Sequence, residues 1–553
     1  MLSNPCRVRA LPSAKGLAVR ANSIGGDSGG LRGLVMIALG SKNRGRNAVA
    51  TTTAQPDLTV STSDGTVRGT IVNGVRVWRG IPYAAPPIGG LRLRLPRPVQ
   101  PWEGVLDAGR YGPVPPQERG LPSMGAGRKT PMDEDCLTIN VTAPLDKAPP
   151  RPVLVYFYGG AFTIGAASAP DYDGRNLVER GDVVYVCMNY RLGALGFMDF
   201  RRYSTPERPF DVNVGLADQV AALRWVQRNI AAFGGDPGNV TVFGESAGAV
   251  SITALMCVPS AEGLFHRAFV QSSAPATAYG PGLPEKWAGS LIELLGVAEE
   301  DASNALATLP AQRLVKAVGK LTSKVTPESE PGALAVAPVV DGEFLPLHPI
   351  DAFRTGKAHR IPLVIGNMFR EGALFDRVQD ILPTTEERID TMFARTEPEL
   401  KEQVLAAYPG YPSKRAAVDV GGDVVFWLPS IQVAEGHSAY APTWSFRFDY
   451  APRMANLLGM GATHGMDIPA VFGNYDRGLG RFLTLLGGKR TAVSVGNRFR
   501  GALLRFARTG GPGLWPAYSI ETRATKVFDG TDNVIHDPHR DRREAWNGYR
   551  GYR

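Results

Sequence analysis

The run Val240-Thr241-Val242-Phe243-Gly244-Glu245-Ser246-Ala247-Gly248 carries a short apolar stretch directly into a G-x-S-x-G pentapeptide. A strand over residues 240–243 that enters a glycine-flanked serine predicts a sharp strand-to-helix turn, with the seryl oxygen lifted above the end of a sheet. Gly244 and Gly248 supply the room, because a side chain at either position would crowd the turn. Residues 247–256 (AGAVSITALM) then read as the helix that leaves it. Ser246 is therefore a candidate nucleophile, and the elbow around it organises the reading of the rest of the chain.

Upstream of the elbow, apolar residues fall at Leu216, Val220, Leu223, Val226, Ile230 and Phe233. Steps of three and four describe one face of a helix, and Gly234-Gly235-Asp236-Pro237 stops it. Residues 152–158 (PVLVYFY) and 183–188 (VVYVCM) are unbroken apolar runs, as in strands buried on both faces of a parallel sheet. Residues 66–72 and 75–79 predict an antiparallel hairpin around Asn73-Gly74. Pro86-Pro87, Pro96, Pro98 and Pro101 mark an irregular surface passage. Strands alternating with helices predict an α/β fold with a mostly parallel sheet.

The pentapeptide alone is a weak signal in a chain with 64 glycines, and the sequence contains a second match, Gly26-Asp27-Ser28-Gly29-Gly30. That one also spells the GDSGG of trypsin-like proteases. Two observations dispose of it: no strand precedes it and no helix follows it. More decisively, trypsin-like and subtilisin-like triads place His before Ser in the chain, and the first histidine here is His266. Only an arrangement with His downstream of Ser is open, as in the α/β-hydrolase order Ser…Asp/Glu…His.

Composition excludes other classes. With 553 residues, 44% hydrophobic and 20% charged, the chain is an ordinary globular one, and no apolar run reaches the roughly 18 residues that span a bilayer. The formal net charge of +9 is unevenly placed: in residues 1–50 eight cations face the single acid Asp27, so that segment carries seven of the nine charges. No nucleic-acid role is expected, because the basic tail lacks interleaved aromatics. Residues 1–55 are expected to be a disordered extension or an over-long gene start; the apolar residues 34–39 are too few and too far in for a signal peptide. Residues 56–553 are expected to form a single domain. The four cysteines, Cys6, Cys136, Cys187 and Cys257, make no disulfide framework and have no zinc spacing. No metal or other cofactor is expected.

Before the elbow, the strand ending at Tyr158 runs into Gly159-Gly160-Ala161-Phe162. Acyl transfer needs backbone N–H groups aimed at a developing oxyanion, and small residues allow that approach; a tight turn is the alternative. These segments together resemble the type-B carboxylesterases, the family of cholinesterases and bacterial para-nitrobenzyl esterases. The resemblance covers residues 57–550 and rests on RGIPYAAPP (79–87), EDCLTINV (134–141), YGGAF (158–162), NYRLGALGF (189–197), residues 213–248 and GLFHRAFVQS (263–272). It implies the α/β-hydrolase fold, with helices on both faces of the sheet, a small N-terminal hairpin and large helical insertions. It also implies serine carboxylesterase activity on a small-molecule ester. The N–H groups of Gly160, Ala161 and Ala247 are implied to form the oxyanion hole. The family's D-E-G and G-x-x-H segments correspond to Arg370-Glu371-Gly372 and Gly461-Ala462-Thr463-His464, which implies Glu371 as the triad acid and His464 as the base.

Three departures from the family pattern stand out. Arg370 replaces the usual Asp before the acid. Pro115, in YGPVPPQ (111–117), replaces the cysteine that many relatives pair with the EDCL cysteine, so Cys136 lacks its partner; this favours a reducing compartment, the cytoplasm, over secretion. Residues 118–135 hold no aromatic residue, so a cation–π choline site is not expected there.

Among competing groups, His266 is expected on an amphipathic helix, His348, His359 and His437 in loops, and His536 and His539 exposed in the Arg-rich C-terminal stretch. Glu245 is expected to point away from the Ser246 side, and Asp467, three residues past His464, is the rival to Glu371. Glu371 is preferred because it follows a strand-like run, residues 362–365. An amidase or acyltransferase on the same triad, or a catalytically silent binding domain of the superfamily, are the alternatives. The natural ester and the oligomeric state are not legible.

Overall fold

The computed structural model describes residues 58–120, 124–146, 150–378 and 380–553. The expected N-terminal extension, Cys6 and the second serine pentapeptide lie outside the described residues. The described residues form one compact unit.

Eleven strands make the main sheet. β1 (Thr70–Val72) and β2 (Val75–Pro82) form the hairpin, with Val72 opposite Val75. Asn73 and Gly74 both take positive φ, 49° and 82°, as a two-residue turn between right-twisted strands requires. The first arm is shorter than the sequence predicts. Thr66–Arg68 pairs instead with Thr59–Ser61 and Val105–Asp107 in a separate three-stranded sheet.

The remaining strands are β3 (Thr138–Ala143), β4 (Arg151–Phe157), β5 (Val184–Met188), β6 (Gly235–Glu245), β7 (Arg267–Gln271), β8 (Leu363–Met368), β9 (Thr443–Phe448), β10 (Ala524–Phe528) and β11 (Asn533–His536). Their spatial order is β11-β10-β9-β8-β7-β6-β4-β5-β3-β2-β1. The seven strands from β10 to β5 in that order run parallel, and the edges are antiparallel. Every residue of β5, and every residue of β4 but Pro152, is buried, which is why those segments read as unbroken apolar runs.

Helices cover both faces of the sheet, as in the α/β-hydrolase fold. α1 (Val214–Asn229) precedes β6 and α2 (Ala247–Leu255) leaves the elbow. α3 (Arg453–Leu457) and α4 (Gly478–Leu483) are short, and α5 (Lys489–Thr509) is the longest. Phe499 of α5 meets Phe269, Phe446 and Phe528 of β7, β9 and β10 at centroid distances of 5.7, 5.1 and 5.0 Å. The long helical excursions lie between β7 and β8 and between β8 and β9. Among the described residues no helix is long and apolar enough to cross a membrane.

One buried ion pair fastens the NYRLG segment to α1. Arg191 donates from Nη2 to Asp218 Oδ1 (2.6 Å), and from Nε (2.8 Å) and its backbone N–H (3.1 Å) to Oδ2. Asp218 is wholly buried, so its charge depends on that guanidinium.

Candidate active site

The elbow forms as the sequence predicts. β6 ends at Glu245, Ser246 takes φ 57° and ψ −127°, and α2 begins at Ala247. Such a backbone is strained for a non-glycine residue and is held by bonds on both sides: Ser246 N–H donates to Gln271 O (3.0 Å), and Val250 N–H donates to Ser246 O (2.9 Å). The glycines are needed for contact. A Cβ on Gly248 would sit 2.0 Å from Phe157 O, and one on Gly244 2.7 Å from the same oxygen. Ser246 is partly exposed while its neighbours in the elbow are buried.

The Gly159–Phe162 turn packs directly against this elbow. A Cβ on Gly159 would lie 2.9 Å from Ser246 Cβ and 2.8 Å from Glu245 Oε2. Gly160 (φ 119°), Ala161 (φ 51°) and Phe162 (φ 56°) all have positive φ, so the chain curls there. Thr163 and Ile164 N–H groups donate back to Gly160 O (3.0 and 3.1 Å). Among the described residues no hydrogen bond uses the N–H of Gly160 or Ala161, which leaves them free for a ligand.

Glu371 and His464 come together from the ends of neighbouring strands. Glu371 follows β8, and His464 sits in the loop after β9. His464 Nδ1 is 2.7 Å from Glu371 Oε2, and Glu371 Oε1 accepts from Met368 N–H (2.7 Å). The two loops are stitched by Arg370 N–H to Ala462 O (2.9 Å), by Leu374 N–H to Thr463 Oγ1 (2.8 Å) and by Thr463 Oγ1 to Glu371 O (3.3 Å). Phe375 and Phe426 pack on the imidazole at centroid distances of 5.0 and 4.5 Å.

Glu245 corrects the sequence reading. It does not point away from the site: its Oε1 lies 3.2 Å from His464 Nε2. Neither atom has a hydrogen bond among the described residues, and the Ser246 hydroxyl has none either. Strand alternation placed Glu245 wrongly because the positive φ of Ser246 breaks the alternation at that point. Asp467 accepts from Gln271 Nε2 (2.6 Å) and makes no hydrogen bond to His464.

Four buried titratable groups thus adjoin. Burial pushes the Glu245 carboxyl up, as do Asp467 and Glu371, while His464 holds it down. Burial pulls the His464 imidazole down, but the Glu245, Glu371 and Asp467 carboxylates raise it more. A protonated Glu245 no longer raises the imidazole, so the two upward shifts oppose each other and the cluster shares protons as one set. The direction that stands for His464 is upward, since Glu371 is bonded to it in either state.

The other histidines are accounted for elsewhere. His266 is not helical but precedes β7, and its Nδ1 accepts from Val240 N–H (3.1 Å). His437 lies within the helix Leu428–Ser438, not in a loop, with Nε2 2.8 Å from Ile361 O. His539 is half-buried rather than exposed; burial, with Arg447 and Arg542 beside it, lowers it to about 4. Cys136, Cys187 and Cys257 are buried free thiols.

Comparison with known proteins shows the family. The carboxylesterase family pattern matches residues 56–545. The para-nitrobenzyl esterase of Bacillus subtilis is 38% identical over 496 residues, 88% of this chain and 97% of that protein. The phenmedipham hydrolase of Pseudarthrobacter oxydans is 33% identical over 84% of this chain and 94% of its own length. Among solved structures, a para-nitrobenzyl esterase superposes with a TM-score of 0.80 at 38% identity, covering 88% of this chain and 99% of the other. A Geobacillus stearothermophilus carboxylesterase gives 0.78 at 35% identity, covering 89% and 100%. A strand-to-helix serine, an acid–imidazole pair on adjacent strand ends and a family match over nearly the whole described chain lead to one conclusion: the chain belongs to the carboxylesterase family, serine hydrolases of the α/β-hydrolase fold.

Proposed function

We propose that the protein hydrolyses carboxylic esters through an acyl-enzyme on Ser246, with His464 as general base and Glu371 as its orienting acid. The observation that carries this reading is the 2.7 Å contact between Glu371 Oε2 and His464 Nδ1 beside a serine held in a strained elbow. With Nδ1–H donating to Glu371, the neutral imidazole presents a lone pair at Nε2. His464 turns from Glu245 to Ser246 and takes the hydroxyl proton as Oγ attacks the ester carbonyl. The N–H groups of Gly160, Ala161 and Ala247 receive the oxyanion. The C–O bond to the alcohol breaks, and the alcohol leaves with the proton from His464. Water, deprotonated by the same nitrogen, then cleaves the acyl-serine to acid and free enzyme. The three buried free thiols suit a reducing compartment, and we place the protein in the cytoplasm on that ground.

The test is turnover of para-nitrophenyl esters from acetate to palmitate, with Ser246→Ala alongside. Rapid hydrolysis that drops by several orders of magnitude in the variant is expected. Equal background rates from both folded proteins would sink the proposal.

A further inference from the structure

Five large apolar side chains stand in solvent where two short helices meet. Leu457 and Leu458 close α3; Phe482, Leu485 and Leu486 close α4 and the turn after it. Leu457 is 72% and Leu485 60% exposed, and the other three are each exposed by more than a third. α3 and α4 pack against each other, and Arg453 of α3 reaches the turn at Gly487, so the five side chains stand on two adjoining segments, an interrupted ridge. Apolar residues exposed singly are normal on any surface, whereas five large ones on adjoining segments point to a surface that is covered by something.

Cations outnumber acids around the ridge, where Asp476 is paired with Arg477 and Asp529 shares the Tyr450 surroundings with Arg453. Arg453, Arg481, Lys489 and Arg490 make no ion pair among the described residues. From Arg477 to Ile520 the sequence holds eight Lys or Arg and no Asp or Glu. Gly459, next to Leu458, also lines a cavity of about 400 Å³ walled by Arg370, Arg377, Lys414 and Arg415. Asp419 pairs with Arg370 and Asp376 with Lys414, which leaves Arg377 and Arg415 without a carboxylate.

We propose that this face docks the protein onto an anionic lipid surface, with the ridge entering the interface and the cavity taking a phosphate-bearing headgroup. Exposed leucines flanked by unpaired cations supply the two attractions that interfacial binding combines, apolar burial and attraction to anionic lipid. A second copy of the chain does not fit the charge. A two-fold contact sets a patch against itself, which here brings unpaired cations against unpaired cations. The face is built from the segments that flank Glu371 and His464, so docking holds those loops near the lipid. It is read by binding and not by turnover, and so stands or falls separately from the esterase reading.

The experiment is flotation of the full chain with phosphatidylcholine vesicles, with and without about a third phosphatidylglycerol, at low and high salt. Three variants accompany it: Leu485→Ser with Leu486→Ser; Arg481→Glu with Lys489→Glu and Arg490→Glu; and Arg377→Ala with Arg415→Ala. Hydrolysis of a soluble ester and near-ultraviolet circular dichroism establish that each is folded. The expected result is salt-sensitive binding to the anionic vesicles only, weakened by at least about tenfold in the first two variants and measurably in the third. Absence of wild-type binding overturns the proposal. So does binding that survives the first two variants, which assigns it to the basic residues 1–50. A wild-type dimer in sedimentation that the leucine variant dissolves overturns it as well, and unchanged affinity in the Arg377 and Arg415 variant removes the headgroup cavity.

Discussion

Replacing Glu371 with Gln tests the acid–base pair at a single atom. In the wild type both carboxylate oxygens are engaged, Oε1 with Met368 N–H and Oε2 with His464 Nδ1, each at 2.7 Å. Glutamine keeps the first bond through its amide oxygen and turns an NH2 towards Nδ1. Two donors then face each other, so the imidazole adopts the other tautomer, with Nδ1 accepting and the proton on Nε2. That proton occupies the lone pair that must receive the serine proton, and the imidazolium formed later loses its neighbouring charge. The expected loss is about 10⁴-fold in kcat, by analogy with the same change in other triads, which corresponds to about 5 kcal/mol of barrier. KM is expected to hold, because Glu371 is buried beneath the imidazole. The assay is steady-state hydrolysis of para-nitrophenyl butyrate, with thermal unfolding as a control. Gln is expected to leave Tm unchanged. Glu371→Ala, in contrast, strands the buried Met368 N–H, costs about 1–3 kcal/mol of stability and lowers Tm. A kcat loss under about tenfold in the Gln variant would refute the assignment of Glu371 as the orienting acid.

Two further outcomes follow from named contacts. The carboxylate of Glu245 raises the His464 pKa, so the imidazole protonates, and activity declines, at a higher pH than its ordinary value near 6.5 implies. Glu245→Gln removes that charge, and the acid limb of kcat/KM is expected to move to lower pH; a shift upwards contradicts the contact, and no shift means that Glu245 is already protonated where the imidazole titrates. Asp218→Ala leaves the Arg191 guanidinium buried without a counter-charge and is expected to lower the urea-unfolding free energy by about 3–5 kcal/mol. A loss under about 1 kcal/mol would show that the pair is already solvated.

Most of the candidate site was legible because it is local. The G-x-S-x-G elbow, the glycine turn after residue 158 and the acid after a buried strand each occupy a few consecutive residues, to which the family resemblance attaches roles. The features that escaped depend on distant pairing or on an unusual backbone angle. Residues 66–68 alternate like part of the hairpin, yet they pair elsewhere because Gly69 ends the arm, where a Cβ would lie 2.5 Å from Val77 O. His266 lies in a segment with helical spacing, but β6 and β8 capture the following residues as a strand. The contact of Glu245 with His464 joins residues more than two hundred positions apart through a turn that defeats alternation. The apolar ridge was invisible for a different reason: leucines at helical spacing read as core until exposure is known.

The stitching of the acid and base loops bears on how this scaffold can be remodelled. β8 and β9 are register-paired neighbours, with Met368 opposite Phe448, and everything between them is an excursion that departs from one strand and returns to the next. The separation of Glu371 and His464 is set by sheet spacing and three bonds, none of which involves the outer portion of that excursion, around residues 380–415. Substitutions at exposed positions of that outer portion should therefore leave the Glu371–His464 pair in alignment.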